Sequence, residues 1–210
     1  MKINDKVHLL ESTKGSYAYL VLGEEPVLID TGNPNHDKQI VAELAQLGLK
    51  PSNIAHILLT HSDVDHIGNA KALQAASGAT LWAPQEEVPY IHGEKKLPGF
   101  RRIIGATMKV DRPTVRHTYA AGQKIGALEV IQTPGHTPGH ISIRYNDILF
   151  TGDLIMTRGG RIKPAPGFLT WDKAALQKSL REVGHLTFDY VCPAHGRPVE
   201  RGNLWDAFLR

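Results

Sequence analysis

Apolar and polar positions divide the chain into short strand-like runs and a few amphipathic stretches. Val7-His8-Leu9-Leu10, Tyr17 to Leu22 and Pro26 to Asp30 are apolar runs parted by Gly-containing turns, which predicts a strand meander. Ile40, Val41, Leu44 and Leu47 recur at helical spacing, predicting a helix from His36 to Leu47 that Gly48 terminates. The run Ile54 to Leu59 reads as a buried strand and residues 66–76 as a second helix, followed by a short strand at Thr80-Leu81-Trp82-Ala83. The second half repeats the scheme. Leu128 to Ile131 is a strand, Ile141 to Tyr145 and Ile148 to Phe150 form a hairpin about Asn146-Asp147, Trp171 to Val183 is a helix opened by Thr170 or Asp172, and Tyr190-Val191-Cys192 is a last strand. Ile29-Asp30-Thr31-Gly32 and Phe150-Thr151-Gly152-Asp153 each end a strand in Asp, Thr and Gly. Two similar halves follow, each a sheet with helices outside.

The strand at 54–59 runs into Thr60-His61-Ser62-Asp63-Val64-Asp65-His66, which places two His and two Asp within six residues. Helix capping needs one such residue, whereas this density of imidazole and carboxylate suits a divalent cation as counter-charge. His136, Asp153 and His195 each follow an apolar strand and stand beside Gly or Pro, where the backbone turns sharply and a side chain is free to enter a cleft.

Composition narrows the reading. The chain has 210 residues, 41% of them hydrophobic, long enough for a sizeable core. Its first sixteen residues lack the apolar run of a secretion signal, and no stretch approaches the roughly 18 apolar residues of a membrane span. The single Cys192 excludes an internal disulfide and fits a reducing, cytoplasmic setting. A net charge of +3 is too mild to argue for nucleic acid. Neither a nucleic-acid nor a membrane partner is expected, and the small-molecule substrate expected instead follows from the resemblance described next.

The signature resembles that of the metallo-β-lactamase-fold hydrolases, His-x-His-x-Asp-His followed by a lone His, a bridging Asp and a final His, with Asp63 in place of the usual second His. The resemblance covers nearly all of the chain. It implies an α/β fold, a four-layer αββα sandwich, as one domain over residues 1–210. It implies two divalent metal ions, zinc first, with iron or manganese as alternatives because carboxylate favours harder ions. One ion would take His61, Asp63 and His136, the other Asp65, His66 and His195, and Asp153 would bridge them. Asp30 would orient a ligand, Asp65 would also manage a proton, and His140 would be structural. Three carboxylates and a bridging hydroxide would bring the formal charge of the centre to about zero. The function implied is hydrolysis, by a metal-bridging hydroxide, of an ester, thioester, lactone or similar bond in a small, anionic substrate. The alternatives are a metal-centred oxidoreductase, sulfur dioxygenase-like or di-iron, and a non-catalytic metal-binding protein. Only fifteen residues follow His195, which argues against the helical substrate domain of glyoxalase II-like enzymes.

Residues 84–118 are the least regular. They carry seven Lys or Arg (95, 96, 101, 102, 109, 112, 116) against four acids (86, 87, 94, 111). In the family such an interval covers the cleft or makes a subunit contact, here a cationic lid or the contact of a homodimer. The loop Arg158 to Pro164 is expected to add to that lid.

Overall fold

A computed structural model describes residues 1–97, 101, 103, 107–120 and 122–209. The chain divides into two compact units, Met1–Thr118 and Tyr119–Arg210.

In the first unit, β1 (Val7–Leu9), β2 (Tyr19–Val21), β3 (Val27–Ile29), β4 (His56–Leu58), β5 (Thr80–Ala83) and β6 (His117–Thr118) form a sheet in that order. The pairs from β1 to β3 are antiparallel and those from β3 to β6 parallel. This is the predicted meander followed by crossovers, and the crossovers hold the helices α1 (Asp37–Gln46), α2 (Val64–Ile67), α3 (Ala70–Ser77) and α4 (Val88–Ile91). Ile40 and Leu44 of α1 and Leu73 of α3 pack with Leu20, Leu28, Ile57 and Leu81 of the sheet. Each such side chain contributes about 1.5–3 kcal/mol by leaving water.

The predicted helix at 66–76 is broken into α2 and α3. Gly68 lies so close to the Gly32–Pro34 backbone that a Cβ would overlap the Gly32 oxygen and the Pro34 nitrogen. Asn69 fastens the break, its Nδ2 donating to the carbonyls of Thr31 at 2.6 Å and Asn33 at 2.7 Å. The helix yields so that the loop after β3 can lie against it. Because the atoms a Cβ would meet are backbone, Gly68→Ala is expected to cost about 3 kcal/mol, the upper end for overpacking. Denaturant unfolding checks this, and a variant as stable as the parent would mean that the close approach does not hold the break.

In the second unit the sheet order is β14 (Val199–Glu200), β13 (Tyr190–Pro193), β10 (Ile148–Gly152), β9 (Ile141–Tyr145), β8 (Leu128–Gln132) and β7 (Lys124–Ile125). Only β10 and β13 pair in parallel. The helix α5 (Lys173–Gly184) sets Leu176, Leu180 and Val183 against Leu149 and Val191 of the sheet. Asp172 caps it, accepting from the amides of Ala174 at 2.8 Å and Ala175 at 3.0 Å, an arrangement worth about 1 kcal/mol.

One further expectation changes. The loop expected at 158–164 is a hairpin, β11 (Ile155–Arg158) and β12 (Arg161–Pro164), with Arg158 opposite Arg161. Gly159 and Gly160, both at positive φ, form its two-residue turn. The lid expectation for 84–118 falls partly on residues 98–100, 102 and 104–106, which lie outside the described residues. Of the described charges there, Glu87 and Arg101 are buried. Among the described residues, no helix is long and apolar enough to cross a membrane.

Candidate metal centre

In the first unit the site grows from the C-terminal ends of two neighbouring parallel strands, β3 and β4. Asp30 follows β3 in the left-handed region, at φ +55, an uncommon place for a residue with a side chain. Its carboxylate is buried and fully engaged. Oδ1 accepts from the Thr60 amide at 2.8 Å, while Oδ2 accepts from the Thr60 hydroxyl and from Nδ1 of His66, both at 2.8 Å. The Thr60 proton is therefore committed to Asp30, so Thr60 Oγ1 accepts from Nδ1 of His61 at 3.0 Å. One carboxylate thus fixes two imidazoles in the same tautomer. Both rings carry hydrogen on Nδ1 and present Nε2, and their centroids are 4.0 Å apart. The backbone is held as well, since the Thr31 amide and hydroxyl both donate to the His66 carbonyl at 2.8 Å.

Nε2 of His61 is 3.4 Å from Oδ2 of Asp63, and Nε2 of His66 is 3.9 Å from Oδ2 of Asp65. Asp63 stands at the N-cap position of α2 without capping it. Its Oδ2 lies instead between His61 and Nη2 of Arg101, which is 3.3 Å away. The Ser62 amide donates to Oε2 of buried Glu87 at 3.1 Å, pinning the loop between the two candidate ligands.

In the second unit His136, Asp153 and His195 follow β8, β10 and β13. Oδ2 of Asp153 lies 3.2 Å from Nε2 of His136 and 3.3 Å from Nε2 of His195, so one oxygen faces two imidazoles. His140 does not join them. Its Nδ1 lies 2.9 Å from the Thr133 hydroxyl and 3.1 Å from the Thr133 carbonyl, and its Nε2 accepts from the Asp153 amide at 3.0 Å. It positions the backbone of Asp153. The loops are also tied, by the amides of Trp171 to the His136 carbonyl at 3.2 Å and of Thr157 to the His195 carbonyl at 2.9 Å. Cys192 is fully buried in β13, and that burial pushes its thiol far above the usual range, with Asp147 adding to the effect. It is no nucleophile.

Each unit therefore gathers its own share of the expected residues. His61, Asp63, Asp65 and His66 come together in the first, and His136, Asp153 and His195 in the second. Thr60, Glu87 and Arg101 were not anticipated. A Thr between an apolar strand and a His carries little signal, and Glu87 and Arg101 lie in a stretch whose charge pattern looks solvated.

A family model of the metallo-beta-lactamase superfamily matches residues 13–195. YobT of Bacillus subtilis (strain 168), described as uncharacterized, is 34% identical over 202 residues, covering 87% of this chain and 85% of that protein. The probable metallo-hydrolase YflN of the same organism is 27% identical over 228 residues, covering 94% of this chain and 86% of its own. The solved structure of TTHA1623 in a di-iron-bound form matches with a TM-score of 0.72 at 26% identity, over 88% of this chain and 89% of that one. A family match across most of the chain, with the His and Asp set in the family's order, leaves one conclusion: the chain belongs to the metallo-β-lactamase superfamily, has its fold, and is a metal-dependent hydrolase.

Proposed function

We propose that this enzyme holds two divalent ions and hydrolyses an ester, thioester, lactone or similar bond in a small anionic molecule. His61, Asp63 and His136 would hold one ion and Asp65, His66 and His195 the other, with Asp153 shared between them. The observation that carries this reading is the oxygen of Asp153 facing Nε2 of both His136 and His195 at 3.2 and 3.3 Å, the disposition expected of a carboxylate between two ions. The donors fit such ions, being imidazole Nε2 atoms and carboxylate oxygens with His61 and His66 held in orientation by Thr60 and Asp30. A pair of divalent cations supplies hydroxide at neutral pH and stabilises the charge that develops on the oxygen of the scissile bond.

The chain's own residues divide the remaining work. Asp65 is the carboxylate suited to moving a proton, since its side chain is 25% exposed against 13% for Asp63 and 8% for Asp153. Asp30 and Thr60 keep His61 and His66 from turning. Arg158 and Arg161, exposed at the tip of the β11–β12 hairpin, favour an anionic substrate through their field. Zinc is the first choice of metal, and the likeness to a di-iron structure supports iron as the alternative.

Elemental analysis of protein purified without added metal, combined with assays on aryl esters, thioesters and lactones and with an oxygen electrode, tests the reading. The expected result is about two metal equivalents per chain and hydrolysis without oxygen uptake. Oxygen consumption in place of hydrolysis would overturn it.

A further inference from the structure

Asp63 places a carboxylate where the family signature has a neutral imidazole. An extra negative charge there would be expected to change both the affinity and the selectivity of the site for cations. The structure supplies an offset. Arg101 is 5% exposed, and its Nη2 lies 3.3 Å from Oδ2 of Asp63, the same oxygen that Nε2 of His61 approaches at 3.4 Å. A guanidinium is always charged, and burying one is costly without an anion beside it. Arg101 comes from a part of the chain 38 positions away, and the fold brings it to the Asp63 carboxylate.

We propose that Asp63 and Arg101 act as a single neutral unit that stands in for the missing histidine. The carboxylate supplies the donor oxygen and the guanidinium cancels its charge, so the centre keeps the net charge of the all-histidine signature. Arg101 is on this view a positioning residue that sets the affinity of the site, and it is not a substrate contact. The inference rests on the reading above that Asp63 faces a metal ion.

The charge at this pair is zero in the native protein, negative in Arg101→Gln, positive in Asp63→His, and zero again in Asp63→His/Arg101→Gln. Affinity for a cation should follow the charge. The test measures dissociation constants for zinc and manganese by chelator competition, with thermal melts and circular dichroism of the metal-free proteins as controls on folding. Arg101→Gln should bind metal at least about tenfold more tightly than the native protein, and Arg101→Lys, which keeps the charge, should stay close to native. Asp63→His completes the common signature, yet it should bind about tenfold more weakly, because it leaves the guanidinium beside a cation without this carboxylate. Adding Arg101→Gln should bring affinity back to the native level. If Asp63→His does not fold, the comparison of Arg101→Gln with Arg101→Lys still decides. Equal affinity in those two variants would overturn the proposal, as would tighter binding by Asp63→His alone. Native protein that takes up no metal would instead sink the dinuclear reading itself.

Discussion

Asp153→Ala is expected to lower metal content from about two equivalents to one or fewer, and to reduce hydrolysis by at least about 100-fold. That factor is the upper range for losing a residue that merely supports a ligand, so it is a floor for losing the shared oxygen. The reason lies in the geometry: the same oxygen of Asp153 faces both His136 and His195. The fold should survive, because Asp153 sits after β10 and its amide remains bonded to His140. Metal analysis, a rate measurement and a thermal melt on one preparation check the three parts. Full activity in the variant would mean that the centre is not dinuclear. His140→Ala is the contrasting case. It should cost about 1–3 kcal/mol of stability, by leaving the buried Asp153 amide without its acceptor, while keeping its metals.

Asp30 should have the next largest effect, although it touches no substrate. Asp30→Ala removes the acceptor for the Thr60 amide, the Thr60 hydroxyl and Nδ1 of His66 together. Metal affinity should fall about 10–100-fold, and stability by about 1–3 kcal/mol from the buried Thr60 amide alone. Asp30→Asn separates the two effects. The amide oxygen can still accept from the Thr60 backbone, so most of the stability remains. The amide NH2, however, now faces Nδ1 of His66 and favours the tautomer with hydrogen on Nε2, the nitrogen proposed to bind metal. Affinity should therefore drop in Asp30→Asn even where the melting temperature does not. An Asn variant with native affinity would show that Asp30 does not orient the ring.

Much of this centre was readable in the chain because its signals are local. His61, Asp63, Asp65 and His66 share one loop, and His136, Asp153 and His195 each follow an apolar run that ends in Gly or Pro. The helices at 37–46 and 173–184 declared themselves through apolar residues at a 3.6-residue period. Asp30 was placed as an orienting residue by its resemblance to the family's Asp at the end of an early strand. The hairpin at 155–164 also had a local signal, Gly159-Gly160 between two short strands, which the concentration of positive charge obscured.

Other features had no local signature. The division of residues 64–77 into two helices depends on the Gly32–Pro34 backbone reaching Gly68, a contact made across more than thirty residues. The commitment of the Thr60 hydroxyl to Asp30, which sets the tautomer of His61, needs β3 and β4 to be neighbours. Arg101 looks in sequence like one of seven cations on a solvated surface, and the structure buries it against Asp63. The sequence by itself determined the types of the candidate ligands, their order and the strands that end in them, because periodicity and turn chemistry act over a few residues. Tertiary structure alone decided which charge meets which, how the imidazoles are oriented and what balances Asp63, because the energy of a buried charge depends on the partner that the fold brings within 3–4 Å of it.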